Sequence, residues 1–169
     1  MAQAVLVVPS GPQVGLTSVA VGLVHALDRR GVRVGFCKPV AQPHARDTGP
    51  ERSSRLVELV AGFSPPASLS AGEAADLYGH GGRERLFEET VARFEAAARR
   101  ADVVIVEGLV PAPELPYAAA LNAGIASSLD AQVVIVTTPG GTPEALTEAL
   151  ELTAQNFGGA NEGRVLGYI

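Results

Sequence analysis

The chain has 169 residues, 47% apolar and 18% charged, which is enough for one folded domain with a sizeable core and excludes a disordered polymer. Its net charge of −5, from 13 basic and 18 acidic side chains, argues against a nucleic-acid backbone as partner. No apolar run is long enough to span a membrane and no basic stretch precedes the first one, so the expectation is a cytoplasmic protein with no membrane partner.

Taken in chain order, five short runs rich in Val and Ile alternate with helical patterns. The first run, Val5–Val8, enters the turn "PSGPQVGLTS", and a helix is predicted over Thr17–Arg29 with Gly31 as its stop signal. The second run is Val32–Cys37. Pro39 to Gly82 is less regular, with several Pro and Gly residues, and reads as loops at strand ends that cover a site. One helix, Arg52–Ala61, is predicted inside it. A helix over Arg83–Arg99 leads to the third run, Val103–Val106. A shorter helix near Ala119–Ser128 leads to the fourth, Val133–Val136. Thr142-Pro143-Glu144 reads as N-cap, first helical position and acidic first turn of a helix over Pro143–Asn156, which Gly158 ends. The fifth run is Val165–Ile169. Continuous apolar runs are what strands buried on both faces require, so the fold class is a three-layer αβα domain with a mainly parallel sheet, occupying 1–169 as one unit. A chain that stops inside a strand is expected to be a piece of a longer polypeptide.

Several residues read as structural. Cys37 is the one cysteine and falls in a buried strand. His25, His44 and His80 lack metal-ligand spacing. Arg29-Arg30 and Arg99-Arg100 sit at helix ends, where they complement the helix dipole.

The first loop carries the chemical question. In a P-loop, G-x-x-x-x-G-K-[ST], backbone N–H groups cradle phosphates, the Lys neutralises them and the hydroxyl meets Mg²⁺. Here Gly11 lies in the turn, and Gly15, Leu16, Thr17 and Ser18 stand where the Gly-Lys-Thr/Ser run would be. The turn and the hydroxyl are kept and the ammonium is lost. Phosphoryl transfer depends on electrostatic stabilisation, so its principal cation is missing, while a backbone anion cradle remains. On the loop alone, a tight strand-to-helix turn is the preferred reading. Two other strand ends alter the balance. Lys38-Pro39 follows the second run and Glu107-Gly108 follows the third, at the edge where open α/β sheets bind ligands. These two residues form either a nucleotide constellation, Lys on phosphate and Glu on Mg²⁺, or an ion pair across the sheet edge.

Read together, "SGPQVGLTS", "FCKPVAQP", "VVIVEGLVP" and "TPGGTPEAL" resemble the N-terminal domain of long-form bacterial phosphate acetyltransferase, as do "LNAGIASSLDAQVVIV" and "NFGGA". That resemblance covers nearly the whole chain, Leu16 included. It implies a P-loop NTPase-like fold of the dethiobiotin synthetase type. Carried over by motif, Thr17 matches the P-loop hydroxyl, Lys38 the second lysine and Glu107 the glutamate. These form a relict nucleotide or anion site, with Thr17 and Glu107 the Mg²⁺ contacts. Glu51 or Asp47 stands near the place of a further acidic Mg²⁺ ligand. The resemblance also implies a domain without catalysis of its own and with no required cofactor, a nucleotide with Mg²⁺ being the one it allows. Its implied partners are a C-terminal acetyltransferase domain on the same polypeptide, further copies in a homo-oligomer, and a small-molecule metabolite effector. An ATP-dependent enzyme of the synthetase type is the alternative.

Overall fold

The computed structural model describes residues 2–42, 49, 51–113, 115–138, 142–159 and 163–169. His44 and Asp47 lie outside the described residues. Five parallel strands form one sheet in the order β2-β3-β1-β4-β5: β1 Gln3–Pro9, β2 Val34–Cys37, β3 Val103–Glu107, β4 Gln132–Val136 and β5 Val165–Tyr168. Six helices connect them: α1 Leu16–Asp28, α2 Arg52–Ala61, α3 Ala71–Gly79, α4 Arg83–Ala98, α5 Ala118–Ser128 and α6 Pro143–Gln155.

The sheet separates two apolar clusters. Strand residues alternate between faces. Leu6, Val8, Val104, Val106, Val133 and Ile135 join one cluster with Leu86 and Phe94 of α4 and Leu121 and Ile125 of α5. Val7, Phe36, Ile105 and Val136 join the other with Leu16, Ala20 and Val24 of α1 and Val57 of α2. Helices on both faces explain the unbroken apolar runs. Two glycines permit close approach. A Cβ on Gly35 would lie 2.6 Å from the Ala97 carbonyl oxygen of α4, and one on Gly124 would lie 2.1 Å from Phe87 Cζ.

Two expectations are corrected. The second strand begins at Val34, not Val32, because Gly31 at φ 77° and Val32 close α1 instead. The Gly31 N–H bonds the Asp28 carbonyl at 2.9 Å and the Val32 N–H bonds the Leu27 carbonyl at 3.1 Å. The irregular stretch holds a second helix, α3. Its signal was a capping box: the Glu73 N–H donates to Ser70 Oγ, and the Ser70 N–H donates to the Glu73 carboxylate.

Candidate functional site

The first loop runs from Ser10, where β1 ends, to Gly15, which caps α1 in the left-handed region at φ 79°. Gln13 is also left-handed, at φ 59°. Such a conformation costs a non-glycine residue about 1–3 kcal/mol and clusters at functional loops. Ser10 ties the loop to β4: its N–H bonds the Val136 carbonyl and its hydroxyl donates to Thr137 Oγ1 at 2.9 Å. Gly15 offers α1 no side-chain cap, and the N–H groups of Leu16, Thr17 and Ser18 meet no acceptor among the described residues. They are the free donors of a helix N-terminus, at its positive end. Leu16 is 4% exposed and belongs to the apolar cluster beneath α1, so its side chain turns into the core. Gly11 is half-buried, and Gly15 and Ser18 are exposed.

Sheet register brings the other two residues together. Cys37 pairs with Val106, so Lys38 and Glu107 are level on neighbouring strands. Both are two residues beyond a member of the α1-side cluster, Phe36 and Ile105, and alternation points them at α1 and α2. Lys38 Nζ donates to Glu107 Oε1 at 2.9 Å and to the Gly108 carbonyl at 3.0 Å. Thr17 Oγ1 donates to the same Oε1 at 3.0 Å, and Ser53 Oγ at 2.9 Å. Lys38, Glu107 and Ser53 are each 2% exposed. Of the two readings left open by the sequence, the ion pair is the arrangement present. Three donors converge on Oε1, and the buried Oε2 has no hydrogen-bond partner.

A buried carboxylate oxygen without a partner is a costly group that a cation could relieve. Lys38 already neutralises this carboxylate, and the Thr17 hydroxyl proton is directed at it. A Mg²⁺ ion, which demands near-octahedral oxygen ligands, would have to displace both. Among the described residues no group of three or more His, Cys, Asp and Glu could hold a metal. The Glu51 carboxylate caps α2, accepting the Ser54 N–H at 2.9 Å. Thr17 and Glu107 in this arrangement therefore do not suit Mg²⁺.

Sequence reasoning missed three polar residues. Ser53 joins the cluster from the first turn of α2. Gln42 and Asn122 clamp the segment after β3: Val110 N–H donates to Gln42 Oε1 at 2.8 Å while Gln42 Nε2 donates to the Val110 carbonyl at 2.9 Å. Asn122 makes the same reciprocal pair with Leu109, at 2.8 and 2.9 Å. A Cβ on Gly108 would stand 2.9 Å from Asn122 Oδ1, so glycine there lets the amide in. These contacts give "AQP", "EGLVP" and "LNAG" a common role, holding the strand-end loops rigid. Cys37 is 1% exposed, and burial pushes its thiol up to about 12, although Arg93 acts in the opposite direction. Its place as a core residue stands.

A parallel sheet in this order, with a loop-to-helix turn at the end of its central strand, defines a P-loop NTPase-like α/β domain. The chain covers 99% of itself and 75% of the chimerical protein CapA2B2 at TM-score 0.61 with 10% identity. It covers 92% of itself and 32% of the GDP-bound signal recognition particle 54 kDa protein from Aeropyrum pernix at TM-score 0.57 with 17% identity. These likenesses show the fold. The sequence matches the AAA domain family over residues 3–169, and the chain belongs to that family. It is 45% identical over 170 residues to the phosphate acetyltransferase of Pseudomonas putida and 37% identical over 171 residues to that of Escherichia coli. The resemblance seen in the motifs thus holds along the chain, which spans about a quarter (24%) of the length of each of these relatives.

Proposed function

We propose that this chain is a regulatory and assembly domain of a phosphate acetyltransferase, with no catalysis of its own. The parent activity would interconvert acetyl-CoA and phosphate with acetyl phosphate and CoA, in a domain C-terminal to this one. The observation that carries the reading is Leu16. An apolar side chain buried in the core stands where a P-loop needs its cation, in a chain similar to phosphate acetyltransferases along its whole length. Lys38 gives no substitute while it is held by Glu107 and the Gly108 carbonyl. What remains at the loop is the row of free N–H groups at the start of α1, an anion cradle that works through the backbone.

The test uses the isolated chain and the full-length enzyme. The isolated chain should form no acetyl phosphate from acetyl-CoA and phosphate. Removing it from the full-length enzyme should leave the chemistry in the remainder while changing its assembly or its response to metabolites. Acetyl phosphate formation by the isolated chain refutes the reading. So does a remainder that assembles and responds like the intact enzyme. Steady ATP turnover abolished by Glu107→Gln would establish the synthetase-type alternative instead.

A further inference from the structure

A second concavity lies away from the Lys38–Glu107 cluster, between α2 and the segment leading into α3. Its volume is ≈ 450 Å³, within the range of small-molecule sites. Its wall is fixed by backbone pairing: the Ala41 N–H bonds the Leu69 carbonyl at 2.8 Å and the Leu69 N–H bonds the Pro39 carbonyl at 2.9 Å. Ala41, Pro65 and Pro66 contribute apolar surface. Ser54 and Ser68 also line it, and the hydroxyl of each is buried without a hydrogen-bond partner. A buried, unpaired hydroxyl costs about 1–3 kcal/mol, and two beside one cavity call for a reason.

The charged groups supply one. Arg55 and Glu58 are three residues apart on α2, both exposed and both lining the cavity. That spacing normally favours an ion pair, yet none forms between them. Among the described residues Arg55 makes no hydrogen bond or ion pair, while Glu58 Oε1 accepts the Ser64 hydroxyl and leaves its other oxygen available. The remaining carboxylates, Glu51 and Glu73, are held as helix caps by the Ser54 and Ser70 N–H groups. A simple anion would meet three carboxylates against one guanidinium. A simple cation would meet that guanidinium and two helix N-termini. A ligand carrying both charges satisfies both sides.

We propose that this cavity binds a small zwitterion, an α-amino acid. Its carboxylate pairs with Arg55, its ammonium with Glu58, and its side chain lies toward Ser54 and Ser68. The site stands apart from the anion cradle, since none of these groups belongs to the Lys38–Glu107 cluster.

The proteinogenic amino acids, each at millimolar concentration, would be screened against the chain by thermal shift, and the best would be titrated by calorimetry. Its amide, lacking the carboxylate charge, and its N-acetyl form, lacking the ammonium, are the paired probes. Expected are saturable binding of the free amino acid and at least about tenfold weaker binding of both blocked forms, a loss of about 1.4 kcal/mol each. Arg55→Gln and Glu58→Gln should each weaken binding at least as much. Both positions are exposed, and a circular-dichroism melt verifies that the variants fold. The proposal is overturned if no amino acid binds, if a blocked form binds as well as the free one, or if either variant binds like wild type.

Discussion

Lys38→Met removes the ammonium that neutralises a carboxylate only 2% exposed to solvent. At 2.9 Å and an effective dielectric of about 20, the attraction between the two charges is about 6 kcal/mol, opposed by the cost of desolvating both. The attraction vanishes in the variant, and the desolvation of Glu107 does not. Thr17 and Ser53 still donate to Oε1, which offsets part of the loss, so the expected destabilisation is the about 3–5 kcal/mol typical of a broken buried pair. For a domain of this size that lowers Tm by about 6–20 °C, at about 2–4 °C per kcal/mol. Urea unfolding followed by far-UV circular dichroism suits a chain without tryptophan. The double variant Lys38→Met/Glu107→Gln, with neither charge, should regain at least about 2 kcal/mol over the sum of the single losses. A Lys38→Met protein within about 1 kcal/mol of wild type, or a double variant whose losses merely add, would refute the claim that a desolvated ion pair organises this site.

Asn122→Leu leaves the Leu109 N–H and carbonyl without their side-chain partner; it should cost about 2–5 kcal/mol and speed amide hydrogen exchange at Leu109, which hydrogen-exchange mass spectrometry reads. The Cys37 thiol, raised to about 12 by burial, keeps its proton in the fold after an unfolded chain has lost it near 9. Its stabilising contribution is complete below about pH 9 and falls as pH rises toward 12, by about 1.4 kcal/mol per pH unit. Cys37→Ala should flatten the alkaline arm of the stability–pH curve by that slope, and an unchanged arm would contradict it. Leu16→Lys should lower stability by about 1–3 kcal/mol as a polar terminus enters an apolar cluster, and should tighten tripolyphosphate binding about tenfold in calorimetry by returning a cation to the loop.

The sheet was legible in the sequence because its strands are buried on both faces and so carry unbroken Val-rich runs. Helix ends were legible where a cap residue fixes them, as at Thr142 and Gly31. Glu51 and Ser70 show the limit of that approach. Each caps a helix in a stretch whose prolines and glycines mask periodicity, and α3 is too short to show an apolar stripe. At the site, Lys38 and Glu107 were identifiable as strand-end residues, but their pairing was not. It follows from β2 lying beside β3, and strand order is a long-range property that local patterns do not encode. Ser53 carried no signal at all, since one serine in an amphipathic helix resembles any other until the helix is docked.

The fate of the P-loop remnants follows from what each does without a ligand. Gly15 holds a left-handed backbone that the turn into α1 requires. Thr17 donates to Glu107, Lys38 neutralises it, and Glu107 in turn accepts from Ser53 and so anchors the start of α2. Leu16 fills the core. Every side chain carried over from the motif therefore has a structural role, and the presence of these residues does not demonstrate phosphate binding. The groups with no structural role are the first N–H donors of α1, which no side chain caps. A substitution at Thr17, Lys38 or Glu107 perturbs folding and any ligand together. An anion titration that leaves those side chains intact, with Leu16 as the one altered position, separates the two.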